Sequence, residues 1–155
     1  MVRPIHFPER PTYKFLILGK SWVQKNNLEI MYRNPRRKIG PFVDHSADMR
    51  AARDAASVDL HRQFKKQGGR RPISYLISVD LVFYVERVHE PDLDNLPAFI
   101  FDAMQGVPVR GNRRMKVAVV IEDDRLVREE HSRKVVKGDM DYDGEPRTEI
   151  IVRPY

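Results

Sequence analysis

The segment Ile73-Ser74-Tyr75-Leu76-Ile77-Ser78-Val79-Asp80-Leu81-Val82-Phe83-Tyr84-Val85 places an apolar side chain at every odd position, with Ser74, Ser78 and Asp80 between them. Successive side chains of a strand point to opposite faces, so this period of two predicts a half-buried strand over 73–85. The chain then passes through Glu90-Pro91, where the proline biases its predecessor towards extended backbone, into Asp92-Leu93-Asp94-Asn95. There the period changes. Leu96, Phe99, Ile100, Ala103 and Met104 recur at helical spacing, Pro97 suits a first turn and Gly106 a stop, so a helix follows the acidic turn.

Working outward, residues 12–18 (Thr-Tyr-Lys-Phe-Leu-Ile-Leu) predict a first strand ending at Gly19. From Lys20 to Asp44 prolines, glycine and asparagines mix with Arg33, Arg36, Arg37 and Lys38, which predicts a loop or irregular hairpin carrying positive charge. Ser46 is placed to cap a helix over Ala47–Gln67. Met49, Ala52, Ala56, Leu60 and Phe64 give that helix one apolar face, and Gly68-Gly69 ends it. Downstream, Val117–Ile121, Arg125–Val136 and Glu149–Val152 read as strands, with a polar turn over Gly138–Pro146. The order implies one α+β domain over residues 1–155, a mixed sheet covered by helices.

A chain of 155 residues, 41% of them hydrophobic, buries one core and is too short for two. Its 28 Lys and Arg against 22 Asp and Glu leave a charge of +6, which favours polyanionic partners without identifying them. No cysteine is present, so disulfides and thiolate metal sites are excluded and carboxylates and imidazoles remain as metal ligands. A hard cation is the first expectation. No apolar run long enough for a signal peptide or membrane span occurs, which predicts a cytoplasmic protein with no membrane partner.

Two acidic clusters carry the chemistry. Asp92 and Asp94, one residue apart, project to one side of an extended backbone and can reach one cation. Glu122-Asp123-Asp124 follows an apolar run at its end. Taken singly, the first is commonly a helix cap and the second a charged turn. The cap explains one acidic residue and leaves Asp92 over. An EF-hand is a poor account, since Leu96-Pro97-Ala98 supplies neither its ligands nor its central glycine. The five histidines show no zinc-protease spacing, no glycine loop cradles phosphate, and no serine sits in a nucleophile turn. Trp22, Tyr32 and Phe42, near the basic loop, are candidates for base stacking, although core packing is the commoner use of such residues.

Asp92-Leu93-Asp94-Asn95-Leu96-Pro97, then Phe101-Asp102-Ala103-Met104, then Asp123-Asp124-Arg125-Leu126-Val127 resembles the RusA family of Holliday-junction resolvases. The resemblance is clear in the carboxy-terminal half; in the amino-terminal half it rests on layout. It implies a RusA-like fold and a homodimer that hydrolyses paired phosphodiesters in four-way DNA junctions during recombination and repair. The odd-numbered apolar face of 73–85, which needs more cover than one short helix gives, also predicts that dimer. The implied cofactor is magnesium, with manganese as a substitute. Asp92, Asp94 and Asp124 would be the catalytic metal ligands, and Asn95, Asp123 and Lys134 the supporting residues. DNA would be held by Arg33, Arg36, Arg37 and Lys38 and by Arg110, Arg113 and Lys116. A phage or prophage origin fits the family.

The sequence departs from the family pattern twice. Where the family has a lysine four residues after the second aspartate of the turn, this chain has Ala98, and Val107–Lys116 reads as an insertion. Arg110, Arg113, Lys116 and Lys134 are the candidates to replace that lysine. Two other readings stay open: a non-catalytic basic DNA-binding protein with a structural cation site, and a nuclease for flaps or forks.

Overall fold

A computed structural model describes residues 9–19, 28–31, 42–45, 47–86, 96–109 and 112–155, with backbone alone for 28–31, 42–45, 47–49, 107–109 and 112–116. The central strand is β4 (Ile77–Val85), and its odd residues Ile77, Val79, Leu81, Phe83 and Val85 are fully buried. Around it the order in the main sheet is β1 (Tyr13–Leu18), β8 (Arg147–Pro154), β4, β7 (Val127–Val136). Strand β8 runs antiparallel to both β1 and β4, whereas β4 and β7 are parallel. Parallel neighbours need a long crossover. That crossover carries helix α2 (Leu96–Gln105), a hairpin of β5 (Val107–Val109) and β6 (Asn112–Val117), and a 3-10 turn over Asp124–Leu126.

Helix α1 (Ala47–Lys66) buries Ala56, Ser57, Leu60 and Phe64, a stripe at spacings of three and four, in the same cluster as the odd face of β4. Gly68 ends the helix at φ +88°, and the amides of Gly68 and Gly69 return to the carbonyls of Lys65 (3.1 Å) and Phe64 (2.9 Å). A left-handed residue at that point lets the last turn satisfy its own carbonyls, and glycine adopts it without strain. Helix α2 buries Leu96, Phe99, Ile100, Ala103 and Met104. Its end is tied down from two sides. Ser57 Oγ donates to the Ala103 carbonyl at 2.7 Å inside the core, and the amide of Val120 donates to Met104 O at 3.0 Å. Gly106 then turns the chain at φ +104°, where an added Cβ would lie 1.8 Å from the Val117 carbonyl oxygen, so only glycine fits.

The expected α+β domain with a mixed sheet covered by helices is present, and the basic segment after Gly19 holds a hairpin of β2 (Leu28–Met31) and β3 (Phe42–His45). Four expectations need correction. Residues 74–76 are not strand; Ile73 makes an isolated parallel bridge to Ile121, and β4 starts at Ile77. Val117–Ile121 is not a strand either, because the extended chain ends at Val117 and Val119, Val120 and Ile121 are buried beneath the end of α2. Their apolar run reflects core contact and not a ladder. The strand expected from Arg125 starts at Val127, since Asp124–Leu126 form the 3-10 turn. Finally, the odd face of residues 73–85 does not need cover from a second subunit, because α1 and α2 bury it within the chain.

Candidate functional site

Helix α2 has two working sides. Leu96, Phe99, Ile100, Ala103 and Met104 enter the core, while Pro97, Ala98, Phe101 and Asp102 face outward at the complementary i, i+3 and i+4 positions. Opposite them runs β7. Its register sets Glu130, Ser132 and Lys134 beside Val79, Leu81 and Phe83, so these three share the helix-covered face of the sheet. Between helix and strand lies a cleft of about 470 Å³ lined by Pro97, Ala98, Phe101, Asp102, Asp124, Glu130 and Ser132. Three of the seven side chains are carboxylates and none is basic. Such a set repels phosphate and attracts a cation.

Asp124, expected as a metal ligand, is exposed at the mouth of this cleft. It opens the 3-10 turn that ends against β7, so its position is set by the turn and not by strand periodicity. Asp123, expected as a supporting residue, acts locally, since its carboxylate accepts from the Arg125 amide at 2.8 Å and caps the turn. That backbone hydrogen bond holds the Asp123 carboxyl below the usual carboxylate range. Lys134 lies on the cleft-lining face of β7, one step beyond Ser132. The expectation that an unbroken strand aligns it with Asp124 is corrected, because the turn interrupts the strand and the β4–β7 register shifts at Ile77/Ser78.

Asp92, Asp94 and Asn95 lie outside the described residues, as do Arg33, Arg36, Arg37, Lys38 and Arg110. Arg113 and Lys116 belong to the backbone of β6, and their side chains lie outside the described set. Among the described residues no three His, Asp or Glu side chains come together as a metal site. The turn Asp92-Leu93-Asp94-Asn95 is joined directly to Leu96, and the next two residues, Pro97 and Ala98, line the cleft. Ala98, where the family pattern has lysine, therefore sits in the cleft wall.

Asp102 and Glu130 are two carboxylates of this cleft to which sequence reading assigned no role. Each had a signal. Asp102 is the single charged residue of α2 and falls one turn after Ala98; Glu130 shares strand parity with Ser132 and Lys134. A second groove, of about 510 Å³ between β1 and α1, has a different character. Leu16, Ile17, Leu18, Ala52, Ala55 and Ala56 form its walls. Its single carboxylate, Asp59, is engaged by Gln63 at 2.9 Å. No helix among the described residues is long and apolar enough to cross a membrane.

No family model matches the chain, and no curated protein matches it.

Proposed function

We propose that this protein is a magnesium-dependent endonuclease of the RusA type that cuts four-way DNA junctions, with its active centre at the α2–β7 cleft. One observation carries the reading. The cleft that receives Asp124 is walled by the first residues of α2, to which Asp92-Leu93-Asp94-Asn95 is directly joined. The two acidic clusters that the resemblance pairs thus belong to elements meeting at one cleft.

The donor set suits a hard cation, because carboxylate oxygens are the ligands that magnesium takes. Asp124 with Asp92 and Asp94 would hold it, and Asp102 and Glu130 would add negative charge around it. The bound ion would neutralise charge developing on the phosphate and lower the pKa of a water. The cleft's own carboxylates argue the same way: beside DNA they are repulsive unless a cation lies between them and the phosphate. The net charge of +6 supports attraction to DNA outside the cleft. Ala98 favours one competing reading, a basic protein that binds junctions without cutting them.

The test incubates purified protein with synthetic four-way junctions, flaps and duplex, with magnesium, with manganese and with chelator. Paired nicks in the junction with either metal, and none with chelator, are expected. Asp124→Asn should lower the single-turnover rate by on the order of a hundredfold or more while junction binding stays equal or tightens. Binding without cleavage in either metal would favour the non-catalytic reading. Cutting of flaps alone would favour the fork nuclease.

A further inference from the structure

We propose that the outer edge of β7 is the surface on which a second copy of this chain docks. The two strands would run antiparallel with Ser132 on the twofold axis, so that Lys134 of the partner subunit stands opposite Glu130 at the cleft. Among the described residues no strand pairs with the outer side of β7, whereas the other edge of the sheet, β1, is already occupied. Gln63 and Gln67 bond the outward backbone of Leu16 and Lys14 there. If the sheet extends, it extends at β7.

Backbone direction fixes which residues face the partner. Lys137 donates its amide to Val85 of β4 at 2.9 Å, while the amide of Val136 turns away from β4 to Asp139 Oδ2 at 2.8 Å. Amides alternate along a strand, so Arg128, Glu130, Ser132 and Lys134 present their N–H and C=O groups on the open side. A row of charged residues on an edge strand ordinarily discourages pairing. Here the row complements itself. A twofold axis perpendicular to the sheet sets residues of equal parity opposite each other. With the axis at Ser132, Glu130 meets Lys134 twice, Arg128 meets Val136 and Glu129 meets Val135. His131 then falls opposite Arg133, which carries its own counter-charge in Asp141 at 2.9 Å. Other registers are worse. Centring on His131 sets Arg128 against Lys134, and centring on Glu130, Arg133 or Lys134 sets that residue against itself.

Glu130 and Ser132 line the cleft, so this pairing brings two clefts side by side on one face of a continuous eight-stranded sheet. Each would receive a cation from the other copy, in a cleft whose helix wall has Ala98 in place of lysine. That consequence rests on the nuclease reading; the interface rests on β7 alone and is tested without DNA.

Light scattering of the full chain at micromolar concentration should give twice the chain mass. Glu130→Lys and Lys134→Glu should each raise the dissociation constant by roughly tenfold or more, since each turns two opposite-charge pairs into like-charge pairs. The double variant E130K/K134E should recover the dimer. The chain has no native cysteine, so Ser132→Cys is also a clean probe. Facing residues in a hydrogen-bonded pair lie about 5.5 Å apart, within disulfide reach, and mild oxidation should give a covalent dimer, whereas Ser74→Cys should not. The cysteine variant carries the test if a charge reversal fails to fold. A single-chain mass for the wild type, charge reversals that stay dimeric, a double variant that does not recover, or a Ser132→Cys variant that does not cross-link would each overturn the proposal.

Discussion

On the β1 edge of the main sheet, Gln63 and Gln67, one helical turn apart, each accept from and donate to the strand backbone, with four hydrogen bonds of 2.7–2.9 Å to Lys14 and Leu16. On the β7 edge no glutamine intervenes; charged residues alternate along ten positions and a carboxylate-lined cleft opens beside them. Two side chains of α1 thus act as a surrogate strand and satisfy the groups that a neighbouring strand would otherwise take. The difference teaches that this chain spends its helix polar groups on closing one edge and leaves chemistry and charge at the other. Helix α1 packs on β1 and α2, and only α2 borders the cleft.

The largest effect on this contrast should come from opening the closed edge. Replacing Gln63 and Gln67 together with Ala removes four backbone partners, and at a net 0.5–1.5 kcal/mol per bond the exposed set should contribute about 2–4 kcal/mol. Urea unfolding should show that loss. The unpaired β1 edge, with Leu16 and Leu18 beside it, should make the protein associate through strands while cleavage per folded molecule stays unchanged. A double variant of wild-type stability that remains unaggregated would show that the two edges do not differ in this way.

A smaller effect is expected where the two halves of the contrast are joined. Ser57 is fully buried and its hydroxyl donates to Ala103 O, linking the helix of the closed edge to the helix of the cleft. Ser57→Ala leaves a buried carbonyl without this donor and should cost about 1–3 kcal/mol. The damage should reach the cleft as well as the core, because Ala103 lies one residue after Asp102. Loss of stability accompanied by slower junction cleavage is the expected pair of results. Equal loss with unchanged cleavage would show that α2 holds its cleft side without α1.

How much of this was legible in the sequence follows the same line. The odd face of β4 was readable because burial repeats every second residue from Ile77 to Val85, and α2 because its apolar spacing lies between a turn and Gly106. The run Val117–Ile121 misled, since buried apolar residues look alike whether they form a ladder or pack beneath a helix end. The glutamine edge was not legible at all. Gln63 and Gln67 lie off the apolar face of α1, and nothing in α1 alone indicates that β1, some fifty residues away in sequence, sits beneath them. Asp124 was identified by resemblance, whereas Asp102 and Glu130 emerged only when α2 and β7 were set side by side.

The smallest effect concerns the turn that leaves the open edge. Residues 137–146 carry the chain from β7 back to β8, and Arg147 anchors them. Its guanidinium bonds Asp143 Oδ1 at 2.6 Å, bonds Glu149 Oε1 at 3.0 Å and stacks 3.6 Å over the Tyr84 ring. Burial opposes the Arg147 charge, but the bonds to Asp143 and Glu149 outweigh it and hold its pKa above the ordinary value. In return, the hydrogen bond from Arg147 and then its charge hold the Asp143 carboxyl below the ordinary carboxylate range. A carboxyl depressed in the folded state contributes stability above its unfolded value, near about 4, and that contribution is lost as pH falls through the folded value. The Arg147 Nε–H resonance, followed by NMR into acid, should therefore move with a midpoint below about 4, and Asp143→Asn should remove that step. Because Asp143 is exposed, salt should weaken the effect and global stability should change little. Asp139 and Asp141 hold Val136 and Arg133 of β7 from the same turn, so loosening it in acid should free the last residues of the open edge before β1 is affected. Amide exchange that rises first in β1 would place the weaker edge on the side that the glutamines close.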